Sequence, residues 1–452
     1  MKKACILVSI LFLLPLFLFG AVSALDRDAT VSVTENRRLA TFPRPSRSGL
    51  VDGSWSADLD TYYTDTFPLR EKLLKLERQL NRFYVFSPGG GSGEDVSLVL
   101  PFGQDQVAAV ESPAPTAPAA PQSSPGVGET DAPAPSEAPQ PAAPELDLTA
   151  GDVIMAGGRA MYTGWKNDAI IGLYGENVQR YRELLGDIPI TAMLIPNSGA
   201  FYAPAEYREG PRDQQQIIAA AYGLLPEGVT TADAYSALQQ RQEEYIYFRS
   251  DHHWTQRGAY YGYCALMEAL GMEARSMDSF ASDTLPGSFL GSFYTLVSAY
   301  PQAEALEKNP DTLEYWFDSS MDCPCVSYRS AEMTEGADCR LFYHDYGEGN
   351  LYQAFQGGDL PLLYIDSYAK SGGSVLIVKD SFTNALLPFL AGHFEELYVV
   401  DPRYFNLSEK PALYLPDFVA EHDIDRVLLL NGIGILNNKA YQQYLQVLAG
   451  VE

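Results

Sequence analysis

From residue 150 onward, short apolar runs alternate with amphipathic stretches, and this alternation most limits what the chain can fold into. Runs at 188–195, 374–378, 396–400 and 426–430 read as strands, with a hairpin at 152–155 and 160–163 and a short strand at 245–248. Stretches at 178–185, 213–224, 232–239, 255–270, 416–422 and 439–449 read as helices. In 255–270, Ala259, Tyr263, Met267 and Leu270 share one face, and Gly271 stops the run. A helix is also expected over 382–390, kinked or ended by Pro388. Residues 280–370 are irregular and read as a lobe laid over the sheet. Strands alternating with helices imply an α/β fold, a mostly parallel sheet with helices on both faces. Ligands of such sheets sit at the carboxyl ends of the strands. Asp251, Ser381, Arg403 and Asn431 all follow expected strands, so they point to one site.

Two short words carry the chemistry: Ser250-Asp251-His252-His253-Trp254-Thr255 and Val378-Lys379-Asp380-Ser381-Phe382. A serine hydroxyl is a weak nucleophile until a base takes its proton, and that base is commonly a histidine oriented by a carboxylate. An Asp-x-His spacing puts both side chains on one side of an extended segment, so Asp251 can orient His253. His253 can then reach Ser381. At a strand-to-helix turn, backbone N–H groups can stabilise an oxyanion, with Asn431 as a further donor. His252 is expected to face away. Each residue has a plainer reading beside this one. Ser381 can cap a helix, Asp251 can close a turn, and Asn197 after Pro196 can be a turn residue. Arg403 can be an ion-pair partner. Trp254 can be a core or rim aromatic, or stack on a sugar. A His252-His253 metal pair is disfavoured, because adjacent residues of a strand face opposite ways. No metal or cofactor is expected.

The first residues, Met1-Lys2-Lys3 followed by an apolar run to Ala24, read as a signal peptide or an uncleaved anchor, 1–24. No later stretch is apolar enough to span a bilayer, so an extracytoplasmic chain is expected, secreted or anchored at the cell surface, touching membrane only through this segment. The formal charge of −27 excludes nucleic acid as a partner, since phosphate would be repelled. Beyond the leader lie Cys264, Cys323, Cys325 and Cys339. Export permits disulfides, and Cys323 or Cys325 joined to Cys339 would clip a short loop. That is favoured over a zinc site, because Cys323-Pro324-Cys325 has no second ligand pair.

A helix is expected from 69 to 84, with Leu73, Leu76, Leu80 and Phe83 at helical spacing. Residues 104–147 are Pro, Ala, Ser, Gly and Glu with almost no large apolar side chain, too few to offset ordering entropy. They read as a disordered insertion, because 25–103 looks too short for a robust core of its own. The expected layout is 1–24 leader, 25–103 first part of the domain, 104–147 insertion and 148–452 main domain.

These words resemble the DHHW protein family, named for the word that reads Asp251-His252-His253-Trp254 here. The resemblance extends to Glu35–Pro43, Asp65–Arg70, the hairpin near Val153–Tyr162, Gly291-Ser292-Phe293-Tyr294 and Asp380-Ser381-Phe382. That family is similar to the SGNH-like domain of bacterial alginate O-acetylation proteins. The resemblance implies a three-layer α/β/α SGNH-like (flavodoxin-like) domain with the Asp-x-His word upstream of the serine, a permuted order. It implies a triad of Asp251, His253 and Ser381. Lys379 stands where SGNH proteins have the glycine of Gly-Asp-Ser. The activity expected from it is O-acetyl transfer to a cell-surface or secreted polysaccharide, with a membrane-bound O-acyltransferase as acyl donor. The alternatives are a carbohydrate esterase with the same triad and a non-catalytic glycan-binding or assembly protein.

Overall fold

The structure, a computed structural model, describes residues 151–451 except 348 and 406–412, the strand at 96–102, and short pieces between 31 and 67. The expected leader, the helix at 69–84 and the tract at 104–147 lie outside the described residues. The chain divides into two compact units. One comprises Met1–Val85, Ala114–Pro121 and Ser298–Pro301, the other Phe86–Pro113, Gln122–Val297 and Gln302–Glu452. In the first, Val31–Ser32 pairs antiparallel with Arg37–Arg38, and the Trp55 indole N–H donates to the Pro43 carbonyl at 3.2 Å.

Among the described residues, the second unit holds thirteen strands: β1 (Val96–Phe102), β2 (Gly151–Ala156), β3 (Arg159–Thr163), β4 (Ile190–Ile195), β5 (Val229–Ala232), β6 (Ala281–Thr284), β7 (Glu314–Phe317), β8 (Cys325–Tyr328), β9 (Gly336–Cys339), β10 (Leu362–Asp366), β11 (Ser374–Lys379), β12 (Glu396–Val400) and β13 (Arg426–Gly432). Eight form the central sheet in the order β9-β8-β10-β12-β11-β13-β4-β5. β12, β11, β13, β4 and β5 are mutually parallel. Every residue of β4 is buried, as are all but the first of β11 and β13, which is what strands covered on both faces require. β5, Val-Thr-Thr-Ala, is too short for a clear periodicity, and no strand was expected there.

Residues 280–370 do not simply lie over the sheet. β10, β8 and β9 extend it antiparallel from β12. They pair the backbone groups that β12 would otherwise expose at an edge. The 245–248 strand reduces to a single bridge between Tyr247 and Trp254. β1, β2 and β3 form a separate antiparallel sheet, so strands on either side of 104–147 in sequence are neighbours in space.

The helices start where side-chain caps allow. α1 (Asp168–Leu185) begins at Asn167, whose side chain accepts from Ile170 N–H, well before the expected 178. α2 (Gln214–Tyr222), α3 (Ala234–Gln239) and α4 (Gln256–Ala269) are capped by Asp213, Asp233 and Thr255. α5 (Ser292–Val297), α6 (Leu415–Glu421) and α7 (Lys439–Leu448) follow, with Asn438 capping α7. α1, α2, α6 and α7 pack in one group and α3 with α4 in another, giving the α/β/α layering. No described helix is long and apolar enough to cross a membrane.

The connection from β4 leads outward to β5, while that from β11 leads the opposite way to β12. The crevice between two such connections lies at the carboxyl ends of the strands. Asn197, Ser381 and Gly432 line a small cleft there, with Tyr162, His252, Phe293 and Phe382 among its other walls.

Candidate active site

β11 ends at Lys379, and the chain turns at once into the 3-10 turn Ser381–Ala385. Asp380 caps that turn: one carboxylate oxygen accepts from Phe382 N–H at 3.1 Å and the other from Gly432 N–H at 2.7 Å. Asp380 thus ties the serine turn to the end of β13. Leu387–Leu390, with Pro388 in its first turn, is a second short helix, so the helix expected over 382–390, kinked or ended by Pro388, is two pieces. Ser381 heads the first, where a helical N–H has no intrahelical acceptor.

The Asp-His word is held in a compact turn before α4. Buried Asp311 accepts from the backbone N–H of Arg249 and Ser250 at 2.8 and 2.7 Å, and from the Ser250 hydroxyl. Asp251 accepts from His253 N–H at 3.0 Å and from Ser292 N–H at 2.9 Å. Gly291 makes the second bond possible, because a Cβ there would collide with the Asp251 side chain. Asn350 adds a longer contact at 3.4 Å.

These elements bring together Asp251, His253 and Ser381. His253 Nδ1 lies 2.7 Å from Asp251 Oδ1, and His253 Nε2 lies 2.8 Å from Ser381 Oγ. With the Asp251 carboxylate accepting at Nδ1, the tautomer that carries its proton there leaves Nε2 free to accept from the serine. Tyr352 stacks on the His253 ring, centroids 3.8 Å apart at 8°, and donates its hydroxyl to the Ser381 carbonyl at 2.8 Å. Asp251 is fully buried. Burial opposes its charge, yet the two imidazoles and the Ser292 N–H hold its carboxyl well below the usual carboxylate range.

His252 does not face away. It lines the cleft, its ring 3.6 Å from that of His253, with Nδ1 2.7 Å from Ser292 Oγ. The expectation assumed a flat strand, and the local backbone is a turn. Burial, reinforced by His253, lowers its pKa to about 3 and keeps it neutral. Asp251, His252 and His253 place three possible metal-ligand atoms within 4.8 Å. His253 already has both ring nitrogens engaged, by Asp251 and Ser381.

Three other expected site residues stand elsewhere. Asn431 lies within β13 rather than after it, and its amide donates to the Tyr441 hydroxyl at 2.7 Å, away from the cleft. Trp254 is fully buried and donates its indole N–H to the Phe382 carbonyl at 2.7 Å, so it braces the serine turn and has no face for a sugar. Arg403 pairs with Asp401 and Asp359 at 2.6 and 2.7 Å. Lys379 joins that cluster through Asp359 at 3.0 Å and Asn384 at 2.8 Å. The long lysine stem in place of glycine is accommodated by this buried network beneath the turn.

The donor that Asn431 does not supply has a counterpart in Asn197, just after β4. Its Oδ1 accepts from Gly199 N–H at 3.0 Å and from Gln214 Nε2 at 2.7 Å. Gln214 Oε1 accepts from Asn197 N–H at 2.9 Å, which fixes both amide orientations. The Asn197 Nδ2 group has no partner among the described residues, and the residue lines the cleft beside Ser381. Tyr352, Asp311 and Asn350 gave no sequence signal, since all lie in the irregular middle without a motif. Asn197 gave one, a polar residue at the end of a buried strand.

All four described cysteines, Cys264, Cys323, Cys325 and Cys339, are free thiols. The expected clip is absent. Cys325 and Cys339 stand opposite each other in β8 and β9, and Cys325 Sγ instead contacts the Cys323 carbonyl at 3.3 Å.

No curated protein matches the chain. Among solved structures, a DHHW family protein from Eubacterium siraeum is 26% identical with a TM-score of 0.56, covering 66% of this chain and 95% of that one. PatB1 from Bacillus cereus, in a structure with a sulfonyl adduct, is 18% identical with a TM-score of 0.52, covering 65% of this chain and 99% of its own. The likeness to PatB1 is one of fold, the mostly parallel SGNH-like α/β arrangement. The profile of the DHHW protein family matches residues 180–400, which is the family that the Asp251–Trp254 word resembles.

Proposed function

We propose that the chain is an exported serine O-acyltransferase that moves an acetyl group onto a hydroxyl of a cell-surface or secreted polysaccharide. The observation that carries this reading is the continuous hydrogen-bonded line from Asp251 through His253 to Ser381, opening on the cleft. In the first half-reaction His253 Nε2 takes the Ser381 proton and Oγ bonds to the acyl carbon. Ser381 N–H and Asn197 Nδ2 face the developing oxyanion, and Asp251 stabilises the imidazolium. The proton then leaves with the departing group. In the second half an acceptor hydroxyl gives its proton to His253, bonds to the acyl carbon, and Ser381 Oγ departs with that proton.

The sugar acceptor and a membrane-bound acyl donor rest on the sequence resemblance to alginate O-acetylation proteins. Export rests on the lysine-flanked apolar run of 1–24, and the acidic surface suits a neutral acceptor. Incubation with 4-nitrophenyl acetate, with and without soluble polysaccharide, tests the reading. Acetylated glycan, lost in Ser381→Ala, is the expected result. Acetate release alone makes the protein an esterase with the same residues. Identical behaviour of wild type and Ser381→Ala in both assays makes it a non-catalytic glycan protein.

A further inference from the structure

We propose that His252 holds the alcohol oxygen that reacts at the serine, as departing group in one half-reaction and acceptor in the other; this deepens the Ser381-His253-Asp251 reading and rests on it. The two imidazoles are arranged in parallel roles. Their centroids are 3.6 Å apart with planes tilted by 40°, and both Nδ1 atoms approach the same carboxylate oxygen, Asp251 Oδ1, at 2.7 Å for His253 and 3.7 Å for His252. His253 Nε2 ends on Ser381 Oγ at 2.8 Å. His252 Nε2 has no partner among the described residues, and the ring lines the cleft with Ser381.

One nitrogen is tied and the other is open. Ser292 Oγ holds Nδ1 at 2.7 Å, while its own backbone N–H is anchored on Asp251. The ring is therefore fixed before any ligand arrives, and a preorganised contact loses little entropy on binding. A neutral imidazole offers a donor at one nitrogen and an acceptor at the other, and the Ser292 hydroxyl can satisfy either at Nδ1. A hydroxyl group, itself both donor and acceptor, can meet Nε2 in either case. A carboxylate or phosphate has no proton to give and fits less well. The edges of Phe293 and Phe382, with centroids 6.2 and 6.0 Å from His252, flank it with apolar carbon. The chemistry that fits is an alcohol on a carbon frame, such as a sugar hydroxyl.

During transfer the acceptor proton passes to His253, the new C–O bond forms, and the bond from the acyl carbon to Ser381 Oγ breaks. His252 gains and loses no proton. Its loss therefore shifts the acyl-enzyme from alcohol toward water, whatever its effect on the rate of acylation.

The test uses 4-nitrophenyl acetate as acyl donor, with glycerol and methyl β-glucoside as acceptors. The nitrophenolate burst reports acylation, and acetylated acceptor against free acetate reports the partition of the acyl-enzyme. His252→Phe is expected to lower the ratio of acetylated acceptor to free acetate by about fivefold or more, the size of one lost hydrogen bond; that ratio is read within the acyl-enzyme and does not depend on how fast it forms. His252→Gln carries an amide nitrogen near the position of Nε2 and is expected to recover much of the transfer. An unchanged ratio in His252→Phe overturns the assignment. So does a wild-type acyl-enzyme that passes only to water. A wild type that forms no acyl-enzyme instead removes the triad reading itself, and this inference with it.

Discussion

The end of β11 has two polar clusters, separated by a single residue, Asp380, and they are built on opposite rules. Beneath the turn, Lys379 and Arg403 meet Asp359 and Asp401, two cations against two carboxylates, with Asn384 adding its amide. Burial opposes the charge of Asp359, but Lys379 and Arg403 hold its carboxyl well below the usual range. On the cleft side, the Asp251 carboxylate faces two imidazoles, His253 meets Ser381 Oγ, and Asn197 Nδ2 and His252 Nε2 have no partner among the described residues although both side chains line the cleft. A cluster whose charges are matched internally positions the backbone. A cluster that keeps donors and acceptors in reserve is fitted to a ligand. Arg403, singled out for the site because it follows a strand, belongs to the first kind.

The comparison breaks most clearly under substitution. Ser381→Ala or His253→Ala is expected to lower acyl transfer or ester hydrolysis by about 10⁴-fold or more with little change in urea midpoint, because each acts in the chemistry. Asp359→Ala should do the reverse. Leaving two buried cations with one carboxylate costs about 3 kcal/mol or more in urea unfolding, while the folded fraction keeps its turnover. If Asp359→Ala loses activity and not stability, the division between the clusters is wrong. Asn197→Ala is expected to lower turnover by about 10²-fold or more with substrate affinity little changed, the effect of one missing oxyanion donor. Loss through KM alone would assign Asn197 to ground-state binding instead.

A smaller effect separates the clusters by pH. His252 has a folded pKa of about 3, below the unfolded value of about 6.5. Between those values the unfolded chain binds a proton that the folded one does not. Its contribution to stability is therefore complete above about pH 6.5 and is lost as pH falls toward 3, at up to about 1.4 kcal/mol per unit. Asp251, whose folded pKa is also depressed, adds its loss only as pH falls below its unfolded value of about 3.9. Urea unfolding of wild type and His252→Gln between pH 6.5 and 5 should show the steeper slope in wild type. Equal slopes would mean that His252 is not kept neutral.

The parallel centre of the fold was legible because β4, β11, β12 and β13 are continuous apolar runs, and the caps Asp213, Thr255 and Asn438 are visible as residue types. The antiparallel extension by β8, β9 and β10 was not, since short strands acquire their identity from the edge they pair with. Asp251, His253 and Ser381 were readable from two words. Tyr352 and Asp311 were not, because stacking on a ring and bracing a turn leave no spacing rule. Asn431 is turned from the cleft and Asn197 lines it for a local reason. β13 continues through Asn431 and turns its amide to Tyr441, whereas β4 stops before Pro196 and leaves Asn197 at the cleft. Of the two readings of Trp254, the buried aromatic is the one the structure shows, and the sugar platform is not, because its indole holds the serine turn.

The central claim is that His253 makes Ser381 the nucleophile. Mass spectrometry of the protein after brief reaction with 4-nitrophenyl acetate and an acid quench tests it most directly. The account predicts one acetyl group per chain, on the peptide carrying Ser381, absent in Ser381→Ala and strongly reduced in His253→Ala. An acetyl group on another residue, or equal labelling of Ser381 in His253→Ala, would contradict it.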